Sequence, residues 1–287
     1  LDFFWNDTTQ TPAKLIAYDR IAAGGTFDQL TTPGHEWVIK DQEGNMLKDY
    51  VATEELKQCV FVYPHFGYEN GEPQEWAELS QYYEMCGTGQ AQSPINLTNP
   101  VTDDLENIVF NYGETPVAII NNGHTIQVNV VSGNNITIDG NMYELKQFHF
   151  HAPSEHEVDG QHYPIEMHLV HKDANGKLAV VTVFIIEGAE NNAFAPVWAY
   201  LPEEENGINT TGTTVQLGNL LPVEQLTYRY NGSLTTPPCT EGVLWSVMQN
   251  PVEMSAEQIA AFTAIIEGNN RPIQELNGRD LELDNTP

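Results

Sequence analysis

The segment from Gln147 to His171 contains six of the nine histidines of this 287-residue chain, and it limits the fold more than any other stretch. Its first part, Tyr143 to His151, alternates in the manner of a β-strand, which places Gln147, His149 and His151 on one face. Two histidines separated by one residue on a strand lie about 6.6 Å apart at their Cα atoms, so both rings can bind one ion. The pattern therefore predicts two ligands of a metal site.

A second strand, Ile165 to His171, offers a third ligand. Alternation places Glu166 and His168 on one face of this strand, and the polar, Pro- and Gly-containing segment before it is typical of a loop between antiparallel neighbours. A ligating histidine usually donates its other ring N–H to an acceptor, so we expect Gln147 to accept from His149 and Glu166 from His168. Two ordinary half-buried histidines are the alternative for the first strand alone, and the second strand favours the metal site.

Several motifs, in one order and with matching spacing, resemble those of the α-class carbonic anhydrases of the secreted type. The resemblance runs from about Tyr63 to Arg279. The motifs are QSPIN at 92–96, NNGH at 121–124, QFHFHAPSEH and YPIEMHLVH within 147–171, SLTTPPCTEGVLW at 233–245 and NNRPIQELNGR at 269–279. The resemblance implies a mainly β (α+β) fold with a large, mostly antiparallel, twisted central sheet and short peripheral helices.

The resemblance also implies zinc-hydroxide-catalysed reversible hydration of CO2 to bicarbonate and a proton, with Zn²⁺ bound by His149, His151 and His168. Three neutral imidazoles leave zinc its full charge, so the pKa of a bound water falls from about 15.7 to about 7. A fourth position open to solvent is typical of catalytic zinc. Two alternatives remain. A non-catalytic carbonic-anhydrase-like binding module would be expected to lack a zinc histidine, and a zinc-dependent esterase would share the same hydroxide, although no His-Glu-x-x-His motif occurs.

Roles for residues around the zinc follow from the same resemblance. Thr235 would accept a hydrogen bond from the zinc-bound hydroxide and donate one to Glu155, which directs the hydroxide at the carbon of CO2. His124 would carry the product proton away, because histidine exchanges protons near neutral pH. We therefore expect proton transfer to pass through His124.

The other expected site residues fall into groups. Thr236 and Tyr68 complete the catalytic set, and Gln147, Glu166 and Asn269 are the expected hydrogen-bond partners of the ligands. Val170, Val180, Leu234, Val243 and Trp245 match the apolar CO2 pocket. Of the remaining histidines, His156 and His171 match structural hydrogen-bonding positions, and His35, His65 and His162 receive no role.

The charge balance excludes some partners. Lysines and arginines number 11 against 40 acidic residues, for a net charge of −29. Such a chain lacks the clustered basic residues that nucleic acids and anionic membrane surfaces require. No apolar run approaches the roughly 20 residues of a membrane span, and a start without Met or a signal peptide predicts a mature or trimmed product. An acidic, soluble surface is expected, and salt tolerance is the sharper hypothesis.

Cys59, Cys86 and Cys239 are the three cysteines of the chain. By the resemblance, Cys86 and Cys239 form a disulfide, which would close a loop of about 150 residues and contribute roughly 5 kcal/mol. The alternative is two buried thiols in a cytosolic protein. The disulfide predicts a secreted protein, or one of the periplasmic or cell-surface space. Cys59 is then free or links two subunits into a homodimer.

Residues 1–62 precede the resemblance, and residues 63–287 form the predicted catalytic domain. Short β-like runs separated by turns predict a small all-β unit that is faintly similar to the β domain of the von Hippel–Lindau protein. The alternative is an extension packed on the enzyme, with His35 and Trp37 as packing residues. This segment could bind a protein partner.

Local patterns predict several elements of the catalytic domain. The apolar run from Leu178 to Ile186 predicts a central strand buried on both faces. Glu190 to Leu201 and Ser255 to Gly268 have helical spacing, the latter with Ser255 as N-cap. Glu69 to Gln92 is predicted to be poor in helix and rich in turns.

Overall fold

The computed structural model of the chain describes residues 2–7, 14–20, 36–40, 46–51, 65–266, 268–284 and 286. Among these residues, the strands form a four-stranded, a 13-stranded and a two-stranded sheet. None of the helices in the described part of the chain is long and apolar enough to span a membrane.

The four-stranded sheet lies at the N-terminus and is antiparallel throughout, in the order β2-β1-β3-β4. Trp37, Val38 and Ile39 are consecutive residues and all are buried, so both faces of their strand are covered. Trp37 is thus a buried residue, whereas His35 lies outside the described residues, and packing of this segment on the enzyme stays a prediction. The boundary at residues 62 and 63 also lies outside them and stays a prediction. The strands are β1 (Asp2–Asp7), β2 (Lys14–Arg20), β3 (Glu36–Lys40) and β4 (Met46–Val51).

The large sheet confirms the predicted architecture. Its main path runs β15-β8-β9-β11-β13-β14-β17-β16-β19-β6, with β10 between β11 and β7, and β18 beside β14. Only β14–β17, β14–β18 and β19–β6 are parallel. The strands are β6 (Val101–Asp103), β7 (Val109–Asn111), β8 (Glu114–Asn121), β9 (Ile126–Asn129), β10 (Asn135–Ile138), β11 (Asn141–His151), β13 (Ile165–Lys172), β14 (Leu178–Glu187), β15 (Ile208–Gln216), β16 (Thr227–Ser233), β17 (Glu241–Met248), β18 (Val252–Met254) and β19 (Glu282–Asp284), while β5 (Asn96–Leu97) and β12 (Glu157–Val158) form the parallel two-stranded sheet.

Strand β14 is the predicted central strand, with β13 on one side and β17 on the other. Its alternating side chains enter two apolar clusters, one containing Val181 and Val183 and the other Val180 and Phe184. In β11, Phe148 and Phe150 enter the first cluster and are fully buried. Because side chains alternate, the histidines of β11 point to the opposite face, which is the face of the second cluster.

The described part of the chain contains four short α-helices: α1 (Glu72–Leu79), α2 (Met85–Thr88), α3 (Ala195–Trp198) and α4 (Ala256–Thr263). The prediction of few helices between Glu69 and Gln92 is wrong. Pro73 lies in the first turn of α1, where its fixed φ suits a helix, and the fully buried Trp76 donates from Nε1 to Gly67 O at 2.9 Å. Tertiary burial of that indole holds a helix that the polar, turn-like sequence does not indicate.

The predicted helix from Glu190 to Leu201 is also wrong over most of its length, since only α3 is helical. The backbone N–H of Asn191 donates to the side chain of Gln258 at 2.9 Å, and the Asn191 amide donates to Glu253 O at 3.0 Å. These hydrogen bonds take the place of the ones that Asn191 would form within a helix. The prediction for α4 is confirmed at its start, where Ser255 and Gln258 form a capping box. The helix ends at Thr263, before Gly268 with its φ of +68°.

A disulfide joins Cys86 in α2 to Cys239, 153 residues later in the loop between β16 and β17, and this confirms the predicted pair. Both cysteines pack with Trp76 and Tyr83 in a small apolar cluster. The bond therefore anchors the segment that contains Thr235 to the helical N-terminal part of the large domain.

Candidate metal centre

Strands β11 and β13 bring three histidines together. His149 and His168 are direct partners in the antiparallel register, and His151 lies two residues along β11. Ring centroids are 5.1 Å apart for His149 and His151, 5.2 Å for His149 and His168, and 4.7 Å for His151 and His168. One nitrogen from each ring lies within 4.8 Å of the others, so the three could hold a single ion.

One nitrogen of each ring is already engaged by a supporting acceptor. Nδ1 of His149 lies 2.8 Å from Gln147 Oε1, and Nε2 of His168 lies 2.5 Å from Glu166 Oε1. Nδ1 of His151 lies 2.7 Å from the backbone oxygen of Asn269. The remaining nitrogens are Nε2 of His149, Nε2 of His151 and Nδ1 of His168. In a neutral ring whose N–H donates to the acceptor, the other nitrogen keeps its lone pair and can bind a metal.

These residues fit a zinc ion. Nε2 of His151 is buried without a hydrogen-bond partner among the described residues, as expected of an atom that a metal would satisfy. Burial, followed by the charges of His151 and His168, lowers the pKa of His149 well below its usual value, and burial is the main cause of the lowered pKa of His151. Neutral imidazoles are ligands that Zn²⁺ prefers.

Glu166 connects the centre to a buried hydrogen-bond network. Its Oε1 lies 2.7 Å from Nδ1 of His156, and its Oε2 accepts from the His156 backbone N–H at 2.8 Å. Burial alone would raise the pKa of Glu166, but the charges of His156 and His168 and hydrogen bonds with both hold it far below the usual carboxyl value. His156, Glu166 and His168 also have metal-ligand spacing. Their close atoms already bond one another, so His156 acts as the structural residue expected.

His171 has a similar structural position on the other face of β13. Its Nε2 lies 2.5 Å from Tyr112 Oη, and its Nδ1 lies 3.2 Å from the backbone oxygen of Ala179. Burial lowers the pKa of His171 to about 3. The ring is therefore neutral at physiological pH.

Glu155 is fully buried beside two of the three histidines, with Oε1 3.6 Å from Nδ1 of His151 and Oε2 4.0 Å from Nδ1 of His168. Its Oε1 accepts from the backbone N–H of Arg271 at 2.9 Å, and its Oε2 is buried without a hydrogen-bond partner among the described residues. Thr235 is 6% exposed, and Thr236 beside it is half-buried. The expected hydrogen bond from Thr235 to Glu155 is not formed here, although Oε2 of Glu155 is available to accept it.

Arg271 was not singled out from the sequence, yet it supports this part of the site. Its guanidinium is 1% exposed and donates to the side chain of Gln92 at 2.8 Å, to Ser93 O at 2.7 Å and to Cys86 O at 2.8 Å. Burial lowers its pKa to about 10, so it remains charged. Its position inside the 269–279 motif, in a chain with only 11 basic residues, is the feature of the sequence that could have pointed to Arg271.

The residues expected around the apolar pocket do lie together. Val180, Val243 and Trp245 are buried in the second apolar cluster, and Val170 and Leu234 pack against it. The Trp245 ring lies 5.0 Å from the His168 ring, and its Nε1 donates to Ser233 O at 3.0 Å. An apolar wall therefore borders the metal centre.

His124 lies in a tight turn between β8 and β9. The Asn122 side chain accepts the backbone N–H groups of His124 at 3.0 Å and Thr125 at 2.9 Å, and Gly123 has a φ of +82° that favours glycine. The His124 ring is half-buried and stacks on Phe66 at 4.1 Å. Burial and then the charge of His65 lower the pKa of His124, while Glu205 raises it.

Tyr68 lies near His124, with its ring centroid 6.4 Å from that of the histidine. Burial, followed by the charge of Glu155, raises the pKa of Tyr68 well above its usual value. Its hydroxyl therefore stays protonated. His162 is exposed and pairs with Glu157 at 3.2 Å.

The fold and this site together define a mainly β protein with three histidines that could hold a single metal ion. Residues 71–285 match the family described as eukaryotic-type carbonic anhydrase. The carbonic anhydrase of Pectobacterium carotovorum is 46% identical over 217 residues, which cover 75% of this chain and 89% of that protein. That of Klebsiella pneumoniae is 45% identical over 233 residues, with 80% and 94% covered.

A solved structure of the α-carbonic anhydrase from Thermovibrio ammonificans, in complex with sulfanilamide, gives the same result. It is 44% identical, covers 76% of this chain and 98% of that chain, and superposes with a TM-score of 0.74. The chain belongs to the α-carbonic anhydrase family, which confirms the resemblance found in the sequence. It is an enzyme, and its reaction is the hydration of CO2 to bicarbonate. The four-stranded N-terminal sheet precedes the matched residues.

Proposed function

We propose that the chain catalyses reversible CO2 hydration with a zinc ion bound by Nε2 of His149, Nε2 of His151 and Nδ1 of His168. The observation that carries the proposal is Nε2 of His151, a buried nitrogen without a hydrogen-bond partner among the described residues, in a group of three histidines whose ligand atoms lie within 4.8 Å of one another. When bound there, zinc would lower the pKa of a coordinated water towards 7. The three rings preserve its charge because they are neutral.

The apolar wall suits the substrate. Carbon dioxide has no net charge, so an apolar hollow beside the metal can hold it without competing for the hydrogen bonds of water. Val170, Val180, Leu234, Val243 and Trp245 supply that surface. The position of Trp245 against His168 supports a pocket directly beside the metal.

Glu155 and Thr235 orient the attacking oxygen. The backbone N–H of Arg271 holds Oε1 of Glu155, so Oε2 is the atom left to accept the Thr235 hydroxyl proton. A Thr235 hydroxyl that donates to Glu155 can only accept from the nucleophile, and this fixes the direction of attack. Thr236, next in the chain, would position bicarbonate on the same side.

His124 accepts the product proton. Its half-buried ring lies at the edge of the site, and its lowered pKa keeps it neutral and ready to accept at neutral pH. Tyr68 cannot share this task, because burial keeps its hydroxyl protonated.

We also propose that the protein works outside the cytoplasm, in a secreted, periplasmic or cell-surface location, which the Cys86–Cys239 disulfide supports. Protease accessibility in intact cells would test this location. A homodimer through Cys59 remains a proposal, which gel filtration under reducing and non-reducing conditions would test. A protein partner for residues 1–62 is also a proposal, and a pull-down with the full chain would test it.

Metal analysis paired with stopped-flow CO2 hydration, with and without a sulfonamide, tests the function. The full-length protein should contain stoichiometric zinc and hydrate CO2, and the sulfonamide should inhibit it. His168→Ala should lose zinc and activity together, whereas His162→Ala, a matched control with an exposed ring, should keep both. Active protein without zinc, or full zinc occupancy in His168→Ala, would overturn the ligand assignment.

A further inference from the structure

A second histidine, for which no role is predicted from the sequence, lies beside the ring of His124. His65 is exposed, and its ring centroid lies 5.3 Å from that of His124 at an interplanar angle of 37°. Phe66 covers a face of His124 at 4.1 Å with an interplanar angle of 6°, which fixes the ring at this edge of the cleft. The two imidazoles are near enough to exchange a proton directly or through one water.

A proton held by His124 needs a route to solvent. Burial disfavours the charged form of a half-buried imidazole, so the proton leaves towards a better solvated group. We propose that His65 is a second proton-carrying residue of the reaction, which accepts the proton from His124 and passes it to solvent or buffer. This inference rests on the proposed function.

The transfer balances without further reactants. The N–H bond of protonated His124 breaks as an N–H bond forms on neutral His65, and His65 then releases the same proton to a buffer base. No electrons move between molecules. His124 returns to its neutral form, ready for the next turnover.

The other polar groups around His124 do not suit this role. Tyr68 stays protonated and cannot accept. Glu205 lies against Gly123, where its charge raises the pKa of His124 and so favours the proton on the His124 ring. The Glu205 loop is held by backbone bonds between Asn206 and Asn121 at 2.7 Å and between Asn121 and Gly207 at 3.0 Å. His65 is the remaining proton acceptor among the described neighbours of His124.

The test compares kcat and kcat/KM for CO2 hydration in dilute and in concentrated buffer. His65→Phe keeps an aromatic ring in place and removes the proton acceptor, His65→Ala removes both, and His162→Ala is the exposed-histidine control. In dilute buffer both His65 variants should lower kcat by a factor of roughly 2 to 5, less than loss of His124 itself because buffer can still reach His124. Their kcat/KM should stay unchanged, imidazole should restore kcat, and His162→Ala should match the parent.

The order of the two residues is tested by combining His124→Ala with His65→Phe. Because the two act in series, the double variant should be no slower than His124→Ala alone. A slower double variant, an unchanged kcat in His65→Phe, or a parallel loss of kcat/KM without rescue would each overturn the relay. An inactive full-length parent would instead overturn the proposed function and the relay with it.

An NMR titration gives a readout that does not depend on activity. Loss of the positive charge on His65 removes one cause of the lowered pKa of His124, so the titration midpoint of His124 should rise in His65→Phe. Replacement of Glu205 by Gln should lower that midpoint. An unchanged midpoint in His65→Phe would show that the two rings do not share charge and would contradict the relay.

Discussion

Neutral imidazole is the form that burial stabilises at His171. The folded ring binds Tyr112 and the Ala179 carbonyl oxygen, and its pKa is about 3, whereas an unfolded histidine has a pKa of about 6.5. Between these two pKa values, His171 is therefore protonated in the unfolded chain and neutral in the folded chain. Folding stability from this residue is fully present above pH 6.5 or so and is lost as the pH falls towards the folded pKa.

Replacement of His171 by Asn should make stability less sensitive to acid. The asparagine amide can take the position of Nδ1 and donate to the Ala179 oxygen, but it does not reach Tyr112 Oη, and it takes up no proton. The parent should lose about 1.4 kcal/mol per pH unit through this residue between its unfolded and folded pKa values, and the variant should lack that slope. Urea unfolding of chelator-treated protein at several pH values measures it. Equal slopes in parent and variant would contradict a neutral, buried ring.

Residues on regular strands were the easiest to predict. The strand period places His149 and His151 on one face, and the spacing within the second strand selects His168. Arg271 and the free oxygen of Glu155 could not be predicted in this way. Both depend on contacts between loops more than 100 residues apart, such as the bond from Arg271 to Glu155 across 116 residues.

Close packing between β16 and β17 depends on Gly232. A Cβ at this position would lie 2.8 Å from Tyr230 Cε2 and 2.9 Å from Trp245 Cδ1, and it would also collide with the Ser93 hydroxyl. The register of the two strands shifts at Gly232 and Ser233. The strand pair thus leaves no space for a methyl group.

Gly232→Ala should lower the free energy of unfolding by about 1 to 3 kcal/mol, the usual cost of an overpacked core. Gly212→Ala is the matched control, because it also lies in a strand but has nothing within 4 Å of its added Cβ. The control should stay within about 0.5 kcal/mol of the parent. Denaturant unfolding of both variants measures the difference, and similar values for the two would refute the close approach.

Elements governed by local pattern were predicted, and elements governed by distant contacts were not. The β-branched run of β14 and the capping box of α4 each carry their own signal. Helix α1 depends on a buried Trp76, and the short α3 depends on bonds from Asn191 to Gln258 and Glu253. The parallel pairing of β14 with β17 joins strands far apart in the chain, and only the family resemblance anticipated the sheet around it.

Charge acts on the molecule as a whole. The chain has a net charge of −29, so its acidic side chains repel one another when folding brings them onto a compact surface. This repulsion opposes folding. Salt shortens the range of the repulsion, from about 10 Å at 0.1 M to about 3 Å at 1 M. The protein should therefore gain stability as salt is added.

The thermal unfolding midpoint should rise steadily from low salt to about 1 M NaCl, where the screening length is shortest. Sucrose solutions of matched osmolality serve as the control, because they change excluded volume without screening charge. A midpoint that is flat or falls with NaCl would count against adaptation to salt. The zinc-loaded protein is used throughout, so that metal loss does not enter the comparison.

The disulfide between Cys86 and Cys239 turns most of the enzyme into a closed covalent ring. The three histidines of the proposed zinc site fall inside this ring, together with His124, Glu155 and Thr235. Arg271 lies outside the ring and is bonded to it through Cys86 O and Glu155 Oε1. A protease that cuts once within the ring leaves both pieces attached, so the nicked enzyme keeps its ligands on one molecule. The same cut under reducing conditions would let the pieces part.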